Sequence, residues 1–319
     1  MASKVTVIGT GNFGSTVAFI LAMRGSCHEV ILRGRNIDIA KGKALDMSQA
    51  ANAAREHTIV RAAETAKDMA GSEIVVITAG APRSPGMNRD DLLVKNAAIV
   101  KGYALEIKEY APNAIVVVVS NPLDVMTYVV HKYTGFPRER ILGMAGILDS
   151  ARMAHFICEK LGYGAGQIRA TVMGGHGDTM VPLPKFTTVA GVPIADLLDS
   201  EEIGEIVQKT RDGGAQIVNL LGNGSAYYAP AKSTAVMVDA ILKDTKQIHS
   251  CAVMLKGEYG YSDIVSGVPV MIGASGAEKV IEMSLNDLQK TRFKNSVASV
   301  QEMVDALCAS KFFEDCENE

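Results

Sequence analysis

One histidine of this chain stands between glycines, where its ring can meet a substrate with little crowding from other side chains. His176 lies in the segment Gly174-Gly175-His176-Gly177-Asp178, and Asp149 and Arg152 precede it in the chain. An imidazole moves a proton, a carboxylate orients the imidazole, and a guanidinium holds an anion. Together these are the groups needed to move a proton on a hydroxy acid.

A glycine- and proline-rich segment supplies two more arginines. Residues 80–91 contain Arg83 and Arg89 and follow a predicted strand at 74–78, so they leave the carboxyl edge of the predicted sheet, where ligands of such folds bind. The composition predicts a hinged lid. With Arg152, which lies three residues after Asp149 on one helix face, three arginines suit a small dianion better than a monoanion. Solvated lid charges are the alternative interpretation of Arg83 and Arg89.

The first residues of the chain carry a glycine loop. Gly9-Thr10-Gly11-Asn12-Phe13-Gly14 fits the pattern GxGxxG between a predicted strand at 4–8 and a predicted helix at 13–23. In that setting the glycines admit a pyrophosphate to the helix N-terminus. The segment therefore predicts a bound dinucleotide, held at Gly9, Gly11, Asn12, Phe13 and Gly14. A tight structural turn is the alternative.

The end of the second predicted strand lacks the acidic residue that usually accepts from the ribose hydroxyls. Arg33-Gly34-Arg35-Asn36 stands there, and Asp38 lies past the strand end. Losing a charged acceptor weakens NAD binding by about 1.5 to 3 kcal/mol, or roughly ten- to a hundredfold. We expect NADP(H) to bind at least as well as NAD(H), with Arg33, Arg35 and Asn36 on the 2'-phosphate. Solvated arginines, or an engineered change of cofactor, are the alternatives.

The rhythm of apolar segments predicts a doubly wound α/β fold for the first half of the chain. Strands are predicted at 4–8, 29–32, 58–61, 74–78, 115–119 and 141–143, with helical patterns between them. Residues 116–119 are all valine, as expected of a strand that helices cover on both faces. These features predict a Rossmann-type parallel sheet.

Near residue 149 the pattern changes to helices mixed with short strands. Helices are predicted at 151–161, 203–220 and 231–242, and strands at 168–173, 251–255 and 268–272. A last helix is predicted to start with a capping box at Ser284 and Asp287 and to pack an apolar stripe into the core. We therefore divide the chain into a dinucleotide-binding domain, 1–148, and an α+β catalytic domain, 149–319.

Composition narrows the class of protein. The chain has 319 residues, 48% hydrophobic and 21% charged, with a net charge of -3. No basic run favours nucleic acid, and no apolar stretch approaches the roughly 18 residues of a membrane span. The five cysteines are scattered without CxxC spacing, which argues against disulfides and a zinc site. These features predict a cytoplasmic globular protein with reduced thiols and no metal.

Taken together, the motifs resemble those of malate dehydrogenases, of the bacterial type most similar to lactate dehydrogenases. They are the glycine loop, Gly80-Ala81-Pro82-Arg83, Ser120-Asn121-Pro122-Leu123-Asp124, Gly146-Ile147-Leu148-Asp149-Ser150-Ala151-Arg152 and Gly174-Gly175-His176-Gly177-Asp178. They cover nearly the whole chain. In that superfamily an arginine at position 83 indicates malate and oxaloacetate, whereas lactate enzymes usually carry glutamine there.

The resemblance implies a role for each matching residue. His176 would be the general acid and base, Asp149 would orient it, and Arg152 would hold the C1 carboxylate of the substrate. Arg83 would bind the distal carboxylate and Arg89 would polarise the reacting carbonyl. Asn121 would contact substrate and nicotinamide, and Asn96 and the Val119 backbone would help to hold the cofactor, while Asp124 and Asp178 are interpreted as loop-fixing residues.

The resemblance also implies a homotetramer or a homodimer, and it leaves the cofactor open between NAD and NADP. At Gly34 the chain departs from the family, which normally has the ribose-binding aspartate there. Two alternatives to malate dehydrogenase stay open at this point. One is a lactate or other 2-hydroxy acid dehydrogenase, and the other is a non-catalytic dinucleotide-binding sensor.

Overall fold

The computed structural model describes residues 3–81, 89–222 and 224–314, with the backbone alone at residues 89, 90 and 165. Its strands are β1 (Lys4–Ile8), β2 (Glu29–Arg33), β3 (Ile59–Ala62), β4 (Ile74–Ile77), β5 (Ile115–Val118), β6 (Ile141–Gly143), β7 (Ile168–Arg169), β8 (Val172–Met173), β9 (Val181–Pro182), β10 (Thr188–Val189), β11 (Val192–Pro193), β12 (Gln247–Lys256), β13 (Ser262–Gly273) and β14 (Gly276–Val280).

The α-helices within these ranges are α1 (Asn12–Met23), α2 (Ile37–Ala53), α3 (Arg89–Tyr110), α4 (Leu123–Thr134), α5 (Gly146–Leu161), α6 (Ser200–Leu221), α7 (Tyr228–Leu242) and α8 (Asp287–Ala309). In the part of the chain that is described, none of them is both long and apolar enough to cross a membrane.

The first half of the chain contributes six parallel strands to a nine-stranded sheet, in the order β3-β2-β1-β4-β5-β6. The central strands are buried along their whole length, since β4 and β5 expose no residue. Continuously apolar strands of this kind require helices on both faces, and this confirms the predicted α/β fold. The register aligns Ile8 with Ile77, and Ile77 with Val118. The loops after β1, β4 and β5 therefore leave the sheet side by side.

The sheet continues into the second half of the chain through three antiparallel strands, β12, β13 and β14. The junction is the pairing of β6 with β12, where Gly143 lies opposite Ala252. The strands predicted at 251–255 and 268–272 lie within the much longer β12 and β13. The single strand predicted at 168–173 is wrong, because β7 pairs with β10 whereas β8 pairs with β9 in a separate sheet.

The last helix differs from the prediction at its start. Asn286 is the N-cap of α8 and exchanges hydrogen bonds with Gln289, so the predicted capping box at Ser284 and Asp287 is displaced by two residues. The apolar stripe is buried as predicted, at Phe293, Val297, Val300, Val304 and Leu307. The predicted domain boundary at residue 148 falls in the first turn of α5 and stays a prediction.

Candidate active site

The loop that carries His176 is anchored on both sides by buried polar groups. The backbone N–H of Gly175 donates to Ser296 Oγ at 2.7 Å, and the N–H of His176 donates to Asp124 Oδ2 at 2.8 Å. Gly174 has a φ of +82°, and a Cβ built there would lie 2.7 Å from Ser296 Oγ. A glycine is therefore required at 174 by conformation and by space. The anchoring fixes the direction of the imidazole.

Asp149 joins the imidazole to a guanidinium. One carboxylate oxygen of Asp149 is 2.9 Å from His176 Nδ1, and the other accepts from Arg152 at 3.0 Å. Asp149 and Arg152 are three residues apart in α5, so the helix places them on one face. Their side chains are 2% and 15% exposed, and that of His176 is 13% exposed. With Nδ1 donating to Asp149, Nε2 is the nitrogen that can exchange a proton with a ligand.

The acidic neighbours change the proton affinity of the imidazole. Burial alone lowers the pKa of His176, but the charge and hydrogen bond of Asp149, together with the charge of Asp124, raise it above its ordinary value despite the opposing charge of Arg152. Burial also raises the pKa of Asp124 to about 6, against the hydrogen bond from the His176 backbone. The arrangement therefore stabilises the imidazolium form of His176.

The guanidinium of Arg152 lies against two glycines of α6. A Cβ built on Gly214 would lie 3.6 Å from Arg152 Nη2, and one built on Gly213 would lie 3.6 Å from Arg152 Cδ. Arg152 Nε is buried and has no hydrogen-bond partner among the described residues. A buried donor left unpaired is costly, so a site that supplies an acceptor gains from it. This geometry suits a bound carboxylate.

The glycine loop has the space and the donors that an anion needs. Gly9 has a φ of +110°, and a Cβ on Gly14 would lie 1.9 Å from the Gly9 carbonyl oxygen. By contrast, a Cβ on Gly11 would meet nothing within 4 Å, so this position faces open space. Gly11 is the N-cap of α1 without a side-chain cap, Asn12 begins the helix, and Phe13 is half-buried behind it. The residues fit a pyrophosphate at this helix end.

Lys43 supports this loop, and no pattern in the sequence predicts it. From α2 its Nζ donates to the Thr10 carbonyl at 2.7 Å and to Ser15 Oγ at 2.9 Å. The lysine therefore holds the glycine loop in shape and adds positive charge to it. Its distance of 33 residues from Thr10 in the chain left no local pattern to find it by.

Asn96 connects two of the loops at the carboxyl edge of the sheet. Its side-chain Oδ1 accepts from the Ala81 N–H, and its Nδ2 donates to the Asn121 carbonyl, both at 2.8 Å. Val119, the residue after β5, donates its N–H to the Ile77 carbonyl at 2.9 Å. Asn121 is exposed at the same edge. The structure thus brings together the predicted residues Asn96, Val119 and Asn121.

At the end of β2, the Thr10 side chain crowds the position at which the fold usually has an acidic residue. A Cβ built on Gly34 would lie 2.5 Å from Thr10 Oγ1 and 2.7 Å from Thr10 Cγ2. Distances under 3.0 Å require a neighbour to shift. Thr10 therefore occupies the space in which a larger residue at 34 would begin.

The two arginines beside Gly34 have different surroundings. Arg33 makes hydrogen bonds to both carboxylate oxygens of Glu106 on α3, the shortest at 3.0 Å, and its side chain is 20% exposed. Arg35 is exposed and has no ion-pair partner among the described residues. Asn36 caps α2, because its Oδ1 accepts from the N–H groups of Asp38 and Ile39. Arg35 is therefore the cation of this group that can reach a ligand without breaking an ion pair.

Two of the predicted substrate residues have no described side chain. Arg83 lies outside the described residues. Arg89 begins α3, and its side chain is likewise outside what is described. Their contacts with substrate stay predictions.

Comparison with known proteins relates both halves of the chain to one family. Residues 3–143 match the model described as lactate/malate dehydrogenase, NAD binding domain, and residues 147–310 match that of the lactate/malate dehydrogenase, alpha/beta C-terminal domain. The malate dehydrogenase of Sulfurimonas denitrificans is 64% identical, with 98% of each chain covered.

Solved structures of two enzymes from Cryptosporidium parvum are also similar. Its malate dehydrogenase is 38% identical and has a TM-score of 0.94, covering 97% of this chain and 100% of that one. Its lactate dehydrogenase, solved with lactic acid and nicotinamide adenine dinucleotide, is 36% identical and has a TM-score of 0.92, covering 96% and 98%. The backbone alone therefore does not distinguish the two activities.

Proposed function

This chain belongs to the lactate/malate dehydrogenase family, and from that premise we propose that it is a malate dehydrogenase. The reaction is the reversible oxidation of (S)-malate to oxaloacetate. The observation that carries the proposal is the Asp149 carboxylate, which hydrogen-bonds the His176 imidazole and the Arg152 guanidinium at 2.9 and 3.0 Å. An acid–base group and an anion-binding group are thereby held side by side. The name of the 64% identical relative supports malate as the substrate.

The proton steps fall to His176. In malate oxidation the neutral imidazole takes the hydroxyl proton on Nε2, and in oxaloacetate reduction the imidazolium returns it to the ketone oxygen. Asp149 stays ionised, keeps Nδ1 protonated and stabilises the imidazolium. Arg152 holds the C1 carboxylate through its guanidinium. The nicotinamide dinucleotide, when bound, accepts or supplies the hydride. Arg83 on the distal carboxylate and Arg89 on the reacting carbonyl complete the proposal from the family resemblance.

Oxaloacetate and pyruvate separate malate dehydrogenase from the nearest alternative, a lactate or other 2-hydroxy acid dehydrogenase. The two substrates differ by the distal carboxylate, which we assign to Arg83. Wild-type protein should reduce oxaloacetate with a much higher kcat/KM than pyruvate, and Arg83→Gln should lose far more activity on oxaloacetate than on pyruvate. Equal losses on both would remove Arg83 from the distal carboxylate. No turnover of either substrate would favour a dinucleotide-binding sensor.

The cofactor proposal is that NADP(H) serves at least as well as NAD(H). Three observations support it: no acid stands at Gly34, Thr10 fills the adjoining space, and Arg35 is exposed without an ion-pair partner among the described residues. We assign the 2'-phosphate to Arg35 first, with Arg33 contributing from its pair with Glu106 and Asn36 through the amide NH₂ that its cap leaves unused. Arg–phosphate pairing is charge-assisted and stronger than a neutral hydrogen bond.

The test compares kcat/KM for NADPH and NADH at saturating oxaloacetate. Arg35→Ala should lower kcat/KM for NADPH by about ten- to a hundredfold and change that for NADH by less than about threefold. Arg55→Ala is the matched control, because it removes the same charge just beyond the far end of α2, a helix about 25 Å long. A wild-type preference for NADH, unchanged in Arg35→Ala, would contradict the cofactor proposal and leave malate dehydrogenation intact.

We propose a homo-oligomer, either a tetramer or a dimer, on the basis of the family resemblance, and a cytoplasmic location on the basis of the scattered cysteines. Sedimentation velocity of the purified chain would measure the oligomer directly. A monomer at micromolar concentration would contradict this part of the proposal.

A further inference from the structure

Asp124 contacts the candidate acid–base residue from the other half of the chain. It lies in the first turn of α4, one of the helices between the parallel strands, whereas His176 lies in a loop after α5. Its Oδ2 accepts the His176 backbone N–H at 2.8 Å. His176 is thus held at two places: Asp149 holds its ring nitrogen and Asp124 holds its backbone N–H.

The second carboxylate oxygen of Asp124 is left without a partner. Asp124 is 3% exposed, and Oδ1 is buried and makes no hydrogen bond to another described residue, although the N–H of Asp124 itself also stabilises the carboxylate. Within the same part of the chain no lysine or arginine forms an ion pair with it. A buried carboxylate in this state is unfavourable for folding, and an amide of the same shape would avoid that cost. A residue that satisfied only the loop backbone would not need the charge.

The charged groups around Asp124 are His176 and Asp149, and Arg152 pairs with Asp149 and acts on His176. Burial raises the pKa of Asp124 to about 6, and the pKa of His176 is raised above 6.5. When Asp124 is ionised, its charge lies close enough to His176 to raise the pKa of the imidazole. Its negative charge then faces an imidazolium that forms and disappears once in each turnover.

We propose that Asp124 is a positioning residue, whose buried carboxylate fixes the backbone at His176 and places a second negative charge beside the imidazolium. This rests on the proposed function, in which His176 carries the substrate proton. Asp149 provides the orienting hydrogen bond to the ring. Asp124 adds electrostatic stabilisation without touching substrate, and it links the segment that carries Asn121 to the loop that carries His176.

Asp124→Asn separates the charge from the hydrogen bond, because the amide oxygen can still accept the His176 N–H. Oxaloacetate reduction needs the imidazolium, so its kcat/KM falls as the pH rises through the pKa of His176. Removing a negative charge lowers that pKa. The alkaline midpoint for oxaloacetate reduction should therefore move to lower pH by about one unit, and the midpoint for malate oxidation should move in the same direction.

Asp178→Asn is the matched control, since it removes the same charge two residues from His176 at an exposed position. Its midpoints should stay within about 0.2 units of the wild type, because solvent screens an exposed charge. Should Asp124→Asn not accumulate as folded protein, Asp124→Ser keeps an acceptor in a smaller side chain and goes through the same titration.

Each outcome decides the assignment. A shifted midpoint in the Asp124 variant and none in the Asp178 variant supports it. A lower plateau of kcat/KM with unchanged midpoints would mean that Asp124 has only a structural role. That result would overturn the assignment, while the proposed function would stand. Wild-type protein that reduces no oxaloacetate with either dinucleotide would overturn the proposed function and this inference together.

Discussion

Replacing Gly34 by aspartate tests whether the pair of Gly34 and Thr10 sets the cofactor preference. The built Cβ at position 34 lies 2.5 Å from Thr10 Oγ1, 2.7 Å from Cγ2 and 3.2 Å from Cβ. Rotating the Thr10 side chain leaves at least one of its two γ atoms close to the new Cβ, because its β-branched side chain carries two heavy atoms on Cβ. Gly34→Asp alone must therefore displace the glycine loop, which Lys43 holds through the Thr10 carbonyl.

The size of the effect follows from these contacts. Overpacking of this kind destabilises by about 1 to 3 kcal/mol. In the double variant Gly34→Asp with Thr10→Gly the obstructing side chain is gone, and the aspartate can accept from the ribose hydroxyls. A charged acceptor contributes about 1.5 to 3 kcal/mol, which is roughly a ten- to hundredfold gain in NADH affinity. The same carboxylate repels a 2'-phosphate, so NADPH affinity should fall.

The assay needs four proteins: wild type, each single variant and the double variant. Urea unfolding measures the stability of each, and titration of nicotinamide fluorescence measures the Kd of NADH and NADPH. Gly34→Asp alone should be the least stable and gain little NADH affinity, whereas the double variant should regain stability and prefer NADH. The reasoning is refuted if Gly34→Asp alone is as stable as the wild type and already binds NADH tightly.

Three further predictions concern single residues. His176→Ala should lower kcat by roughly 100-fold or more and leave the Kd of the dinucleotide nearly unchanged, and near-normal turnover would remove its assigned role. Glu106→Gln should release Arg33, lowering the KM for NADPH up to about fivefold with at most about 1 kcal/mol lost in stability, and an unchanged KM would mean that Arg33 does not face the phosphate. Asp124, with a folded-state pKa raised from 3.8 to about 6, favours folding only when protonated, and this contribution is lost as the pH rises through 6. Asp124→Asn should therefore be more stable than wild type at pH 7.5 by up to about 3 kcal/mol but not at pH 4, and equal differences in urea unfolding at both pH values would contradict this.

The parts of the fold that the sequence predicts well are those with local causes. The strand, glycine turn and helix at the start of the chain need only the alternation of apolar residues and the freedom of Gly9 at positive φ. The contact of Asp149 with Arg152 follows from their spacing of three on α5. Each of these features is encoded within one turn or one strand.

The parts that it misses depend on partners far away in the chain. The segment 168–173 looks like one strand, but its two ends pair with different strands, so the break is set by tertiary contacts. Glu106 lies 73 residues from Arg33, and nothing near either residue predicts their ion pair. The start of α8 differs from the prediction for a local reason, since Asn286 and Gln289 form a cap as good as the one predicted at Ser284 and Asp287.

The pairing of β6 with β12 limits how this chain can be divided. Two family models end and begin within a few residues of one another, as if the halves were modules that could be separated. The backbone pairing of Gly143 with Ala252 crosses that border, so each half finishes the other's sheet. A fragment cut at residue 148 would expose the edge of β6 with Ile141 and Leu142, which are buried in the whole chain. Exchange of halves between relatives would thus have to conserve this pairing of β6 with β12 as well as the residues of the active site.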